Sequence, residues 1–204
     1  MNKNILRLYL IASSSSFNNP LKDLETAFKH GVTCFQLREK GENIKTGQDL
    51  EDFAFKVKAI CQKYGVILII NDDVYLAERI EADGIHIGQS DMKPDDLPAY
   101  FNDKIVGLSV GNIKELESSN LDRVSYIGVG PVYATKSKND AGDAIGIDVL
   151  KQVTERTQLP AAAIGGITED NYKLCLDNGA DGICVISAIT QSADIEQSVT
   201  ALLQ

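Results

Sequence analysis

The sequence predicts one α/β domain, a closed barrel of parallel strands alternating with helices, and three observations carry that prediction. Short apolar segments of strand length recur through the 204 residues, with helical patterns between most of them, which is the rhythm of a parallel sheet. Two late segments, Leu159 to Ile164 and Gly182 to Ile186, run straight into the small residues Gly165-Gly166 and Ser187-Ala188. There backbone N–H groups can approach an anion closely, and in such barrels the loops after the last two strands frequently bind phosphate. No G-x-G-x-x-G follows the first strand, where Ser13 to Ser16 stand instead, so the open dinucleotide-binding sheet loses support.

Taken in order, Leu6 to Ala12 reads as the first strand, and Asn19-Pro20 then opens a helix with Leu21, Leu24, Ala27 and Phe28 on one face, closed by Gly31. Thr33 to Leu37 is the second strand. Thr46 and Asp49 have the spacing of a capping box, and Leu50, Phe53, Ala54, Val57, Ile60, Cys61 and Tyr64 keep helical spacing until Gly65. The remaining strands are predicted at Val66 to Ile70, Gly84 to Ile87, Ile105 to Leu108, Val124 to Val129, Ala161 to Ile164 and Gly182 to Ile186. Ala82-Asp83-Gly84-Ile85 recurs as Ala180-Asp181-Gly182-Ile183, either an internal echo of the barrel or a common helix-to-strand turn used twice.

Composition narrows the function. With 44% apolar and 24% charged residues the chain has the balance of a folded globular domain, expected over residues 1–204. A formal charge of −9 argues against nucleic acid and anionic membranes as partners, so an anionic substrate must be held by a local cationic cluster. The start, Met1-Asn2-Lys3-Asn4-Ile5, has no signal h-region and nothing later resembles a membrane span, which predicts a cytoplasmic protein. Cys34, Cys61, Cys175 and Cys184 lack C-x-x-C spacing and read as core thiols.

In a parallel barrel all strand C-termini open on one mouth, so residues just after each strand converge there. They are Gln36, Arg38 and Lys40 after the second strand, Asn71 and Asp72 after the third, Gln89 and Asp91 after the fourth, Ser109 on the fifth, and Thr135-Lys136-Ser137-Lys138 after the sixth. Gly166 and Ser187 complete the circle. Arg38 and Lys40, two apart, either point together into the mouth as phosphate ligands or are ordinary surface charge. Asp72 and Asp91 are hard oxygen ligands of the kind that hold Mg²⁺, with helix capping the competing use for both, Asp72 above all. His30 falls in the last turn of a helix and His86 inside an apolar strand, so both read as structural. No Ser-His-Asp or Cys-His arrangement is recognisable.

Gln36-Leu37-Arg38-Glu39-Lys40, Ile70-Asn71-Asp72, Ala82 to Asp91, Gly107-Leu108-Ser109-Val110, Gly128-Val129-Gly130-Pro131-Val132 with Thr135 to Lys138, and Ile164-Gly165-Gly166-Ile167 closely resemble the thiamine phosphate synthase family, in order through nearly the whole chain. That resemblance implies a (β/α)₈ TIM barrel. The implied reaction joins 4-amino-5-hydroxymethyl-2-methylpyrimidine diphosphate to 4-methyl-5-(2-phosphoethyl)thiazole with Mg²⁺, releasing diphosphate. By the same resemblance Gln36, Leu37, Arg38, Glu39, Lys40, Asn71, Ser109 and Lys138 hold the pyrimidine diphosphate. Arg38, Lys40, Ser109 and Lys138 act in catalysis, Asp72 and Asp91 hold the metal, and Thr135, Lys136, Ser137, Gly166, Ile186 and Ser187 hold the thiazole phosphate.

The chain departs from the usual family pattern at three positions: Asp73 follows Asn-Asp where a basic residue is common, Gly111 stands where histidine is frequent, and Ser137 replaces threonine. A homodimer is left open. The rival readings are a thiazole tautomerase, which wants a histidine where Pro131 stands, and a non-catalytic thiazole phosphate sensor needing only the Gly166 and Ser187 cup.

Overall fold

A computed structural model describes residues 2–135, 137 and 142–204. In it the apolar segments form β1 (Leu8–Ala12), β2 (Cys34–Leu37), β3 (Ile67–Asn71), β4 (Gly84–Ile87), β5 (Ile105–Val110), β6 (Tyr126–Val129), β7 (Ala161–Ile164) and β8 (Gly182–Val185). Each strand pairs in parallel with the next, and β8 pairs with β1, so the sheet closes into an eight-stranded barrel. Around it lie α1 (Pro20–His30), α2 (Gly47–Tyr64), α3 (Val74–Arg79), α4 (Ile113–Ser118), α5 (Gly146–Thr154), α6 (Tyr172–Asp177), α7 (Ser187–Thr190) and α8 (Ile195–Ala201). Among the described residues no helix is long and apolar enough to cross a membrane.

The strands are apolar on both faces because each face has its own core. Alternate residues such as Leu8, Leu10 and Ala12 of β1 and Ile85 and Ile87 of β4 turn outward against the helices. Tyr9, Ile11, Cys34, Ile69, Tyr126, Ala162 and Cys184 turn inward and fill the barrel. Leu6 belongs to the inner cluster, fully buried at the foot, and its segment Lys3–Leu6 is a 3₁₀ turn. The first strand therefore begins at Leu8, two residues later than the apolar run predicts. Helix α1 starts at Pro20 and ends at Gly31 as its sequence signals require, burying Leu24, Ala27 and Phe28. Helix α2 ends at Gly65 in the left-handed conformation, but Thr46, though it occupies the N-cap position, makes no side-chain cap bond. This helix start is exposed, so solvent can satisfy it. All four cysteines are buried and none forms a disulfide.

The foot of the barrel follows a fourfold rule. The side chain of the residue before each even-numbered strand takes a hydrogen bond from the first or second residue of the preceding odd-numbered one. Leu8 N donates to Thr33 Oγ1 (3.1 Å), Leu68 N to Asp83 Oδ2 (2.8 Å), Val106 N to Ser125 Oγ (3.1 Å) and Ala161 N to Asp181 Oδ2 (3.0 Å). Each of these four residues also donates its own N–H to the carbonyl of the same partner. A side chain thus satisfies a strand-end N–H that would otherwise be left buried and unpaired. Ser125 is used in this way, which is why β6 begins at Tyr126 rather than at Val124.

Candidate active site

The strand C-termini surround a cavity of about 300 Å³. From β2, Arg38 and Lys40 both line it, whereas the residues between and before them do not. Strand alternation separates them. Leu37 packs outward under the helices, and Gln36 is buried in the barrel interior, its Nε2 donating to Tyr9 Oη at 2.7 Å. Glu39 turns away and accepts from Ser14 N, from Ser14 Oγ (2.9 Å) and from Lys45 N (2.9 Å). Its carboxylate ties the loop after β1 to the approach of α2, behind the two cations.

Asn71 and Asp72 enter the cavity from β3. Asp72 sits at φ 58°, in the left-handed region, with its N–H bonded to His86 O at 2.9 Å. Helix capping, the alternative use for Asp72, falls instead to Asp73, whose Oδ1 accepts from Leu76 N at 2.9 Å. The departure at position 73 therefore puts its carboxylate to work as the cap of α3. From β4, Gly88 N donates to Asp91 Oδ2 (2.7 Å), folding the turn so that Asp91 faces the cavity beside Asp72.

Burial pushes the Asp72 carboxyl above its ordinary value; Lys40, with Nζ 2.5 Å from Oδ2, opposes the shift, and the neighbouring Asp91 adds to it. Two crowded carboxylates of this kind suit a hard divalent cation that takes its other ligands from water and substrate oxygens. Among the described residues no group of three or more His, Cys, Asp or Glu side chains could hold a metal ion.

The opposite side carries hydroxyls and glycines. Ser137 Oγ donates to Ser187 Oγ at 3.1 Å and Ser137 N to Thr135 Oγ1 at 3.2 Å, and all three residues line the cavity with Gly166 and Ile186. Ser137 thus keeps a hydroxyl in the position that its family departure altered. The chain after β6 crosses directly over Gly165 and Gly166, with Val132 N bonded to Ile164 O (2.8 Å) and Tyr133 N to Gly165 O (3.0 Å). A Cβ on Gly166 would lie 2.7 Å from Ala134 O at a φ of +63°, so this crossing demands glycine. Lys136 and Lys138 lie outside the described residues.

Ser109, on β5, lines the cavity, and beside it is His86, whose apolar neighbours in the sequence make it read as structural. His86 lines the cavity, with Nε2 2.9 Å from Ser109 Oγ and Nδ1 2.9 Å from Tyr126 Oη. Strand parity could have found it, since Ile85 and Ile87 face the helices and the residue between them must face inward. His30 does behave as expected, its Nδ1 2.8 Å from Thr26 O on the same helix.

With this geometry in hand, the chain matches the family described as thiamine monophosphate synthase over residues 8–189. A thiamine-phosphate synthase of Staphylococcus epidermidis is 47% identical over 182 residues, covering 89% of this chain and 86% of that protein. One from Staphylococcus saprophyticus is 43% identical over 206 residues, covering 99% and 97%. The solved thiamine phosphate pyrophosphorylase from Pyrococcus furiosus superposes with a TM-score of 0.86 at 28% identity, covering 98% of this chain and 95% of that one. The pyrophosphorylase structure from Bacteroides thetaiotaomicron, at 18% identity and a TM-score of 0.67, shares the fold.

Proposed function

The chain belongs to the thiamine monophosphate synthase family, and from that premise we propose that it is the transferase joining 4-amino-5-hydroxymethyl-2-methylpyrimidine diphosphate to 4-methyl-5-(2-phosphoethyl)thiazole. The single observation that carries this reading is that one cavity has two chemically different ends. Cations and paired carboxylates from β2, β3 and β4 form one end, and hydroxyls and glycines from β6, β7 and β8 form the other. A diphosphate needs the first and a phosphate monoester suits the second.

In this reading Asp72 and Asp91 hold Mg²⁺, which supplies charge neutralisation to the leaving diphosphate. Arg38 and Lys40, with Lys138, bind the diphosphate oxygens and stabilise the charge that develops as the C–O bond breaks. Asn71 and Ser109 orient the pyrimidine, whose electron-rich ring stabilises the methylene cation left behind. Thr135, Ser137, Gly166, Ile186 and Ser187, with Lys136, hold the thiazole phosphate so that its neutral ring nitrogen meets that cation in line. No proton leaves the attacking nitrogen, so no general base is required there. Gln36, Leu37 and Glu39 serve the site from behind, by packing and by pinning loops. The buried thiols without disulfides support a reducing, cytoplasmic setting.

The test is to incubate the protein with both phosphorylated substrates and Mg²⁺ and to assay the thiazolium product and diphosphate together. Both should appear in equal amounts. Tight binding of thiazole phosphate without product would overturn the synthase reading in favour of a sensor.

A further inference from the structure

A line of polar side chains runs through the inside of the barrel up to the cavity. Gln36 Nε2 donates to Tyr9 Oη (2.7 Å), Tyr9 Oη meets Tyr126 Oη (2.8 Å), Tyr126 Oη meets His86 Nδ1 (2.9 Å), and His86 Nε2 meets Ser109 Oγ (2.9 Å). Tyr9, Tyr126 and Gln36 are essentially inaccessible to solvent and His86 nearly so. The barrel leaves room for the line: a Cβ on Gly107 would lie 2.4 Å from both His86 Nδ1 and Tyr126 Oη, and one on Gly128 3.2 Å from His86 Cε1. Two strands give up their inward side chains where the imidazole and phenol meet. Buried polar groups on this scale are costly unless fully paired, and an apolar filling would have packed the barrel as well.

Resting on the synthase reading above, we propose that His86, Tyr126 and Tyr9 are positioning residues that set the direction of the Ser109 hydroxyl, so that it donates its proton to the bound pyrimidine diphosphate.

Proton accounting gives the direction. Burial, helped in Tyr9 by neighbouring Tyr126, holds both phenols well above their ordinary values, so each carries one proton to give. Tyr9 accepts from the Gln36 amide and, in the direction assigned, gives its own proton to Tyr126. The Tyr126 proton then goes to His86 Nδ1, which makes the imidazole a neutral tautomer protonated on Nε2. Nε2–H donates to Ser109 Oγ, and the Ser109 proton is left to point onward into the cavity. Reversing the line would either turn the Tyr9 proton to the Cys34 thiol, a weak acceptor, or require the Gln36 amide to turn its oxygen to Tyr9. That oxygen has no partner among the described residues, and the turn would strand the NH₂ in its place. Buried orphan N–H groups are rarer than orphan carbonyls, which favours the direction given. In the reversed line Ser109 would spend its proton on Nε2 and have none for the substrate.

A double-mutant cycle tests the assignment, because a residue that acts only through Ser109 has nothing to act on once Ser109 is gone. Ser109→Ala should lower kcat about a hundredfold, the order expected for losing one well-placed donor. Tyr126→Phe, which keeps the ring, should lower kcat roughly tenfold, with KM for thiazole phosphate unchanged. The double variant should be no slower than Ser109→Ala alone. His86→Gln, which can still present an N–H near the Nε2 position, should retain more activity than His86→Asn, which cannot reach Ser109.

Thermal melting and thiazole phosphate binding, measured on every variant, report folding independently of turnover. Multiplicative losses in the double variant, or equal activity in His86→Gln and His86→Asn with both folded, would overturn the proposal. An inactive wild-type protein would instead refute the synthase reading.

Discussion

The tetrapeptide Ala-Asp-Gly-Ile occurs at 82–85 and again at 180–183, and the two copies are alike at the foot of the barrel and unlike at its rim. At the foot, Asp83 accepts from the second N–H of β3 and Asp181 from the first of β7 (2.8 and 3.0 Å), and each returns its own N–H to that residue's carbonyl. Gly84 and Gly182 follow because a Cβ would lie 2.1 Å from Ile105 O in one and 1.8 Å from Leu6 O in the other. At the rim, β4 delivers Gly88 and Asp91 to the carboxylate end of the cavity, while β8 delivers Ile186 and Ser187 to the hydroxyl end. Of the two readings the sequence left open, a helix-to-strand turn used twice describes the copies, and that turn is part of the barrel's fourfold foot. The same local chemistry can be repeated where it holds strands, and must diverge where it holds ligands.

The largest expected effect comes at the rim. Asp91→Ala or Asp72→Ala should cut turnover by about a thousandfold or more, as loss of a metal-holding group does. Thiazole phosphate binding should stay close to that of the parent, and the melting temperature of Asp91→Ala should fall only by what losing the Gly88 turn bond costs, about 1 kcal/mol. Turnover that is unchanged at limiting Mg²⁺ would show that the rim of the β4 copy has no metal role.

At the foot the balance should reverse. Gly182→Ala and Gly84→Ala force a Cβ into backbone and should cost about 3 kcal/mol of stability, read by urea unfolding, with kcat kept in whatever fraction stays folded. Next come Asp83→Ala and Asp181→Ala, each leaving a strand-end N–H unpaired, at roughly 1–3 kcal/mol each. Matching losses in the two would sharpen the equivalence of the copies, and a large KM change in either would break it. The smallest effect separates the copies from each other. Of the two, among the described residues, Asp181 alone carries an ion pair, to the exposed Lys3 Nζ at 2.8 Å, and Lys3→Ala should cost less than about 1 kcal/mol, fading as salt is raised.

Much of this was legible in the chain. Gly84 to Ile87 and Ala161 to Ile164 have the ends that their apolar runs suggest. Arg38, Lys40, Asn71, Asp72, Asp91, Ser109, Thr135, Ser137, Gly166, Ile186 and Ser187 all line one cavity, as convergence of the strand ends requires. What was less legible follows from strand parity. Gln36, Leu37 and Glu39, which the family resemblance implies hold the pyrimidine diphosphate with Arg38 and Lys40, do not line the cavity, because neighbours on an extended chain face opposite ways. His86 was set aside because its neighbours are apolar, although those neighbours face the helices and it faces the cavity. Tyr9 and Tyr126 gave no polar signal at all, since a tyrosine inside an apolar run looks like core until its hydroxyl finds partners.

By itself the sequence determined the alternation of strands and helices, their glycine and proline punctuation, and the set of polar residues at the strand ends, because those depend on hydrophobic period and local backbone preference. Only the tertiary structure decided which residues share the cavity and which brace it, and how a chain of hydroxyls and an imidazole leads to Ser109. Those relations form when eight strands close on one another, and closure joins residues such as Tyr9 and Tyr126 that no local interaction connects.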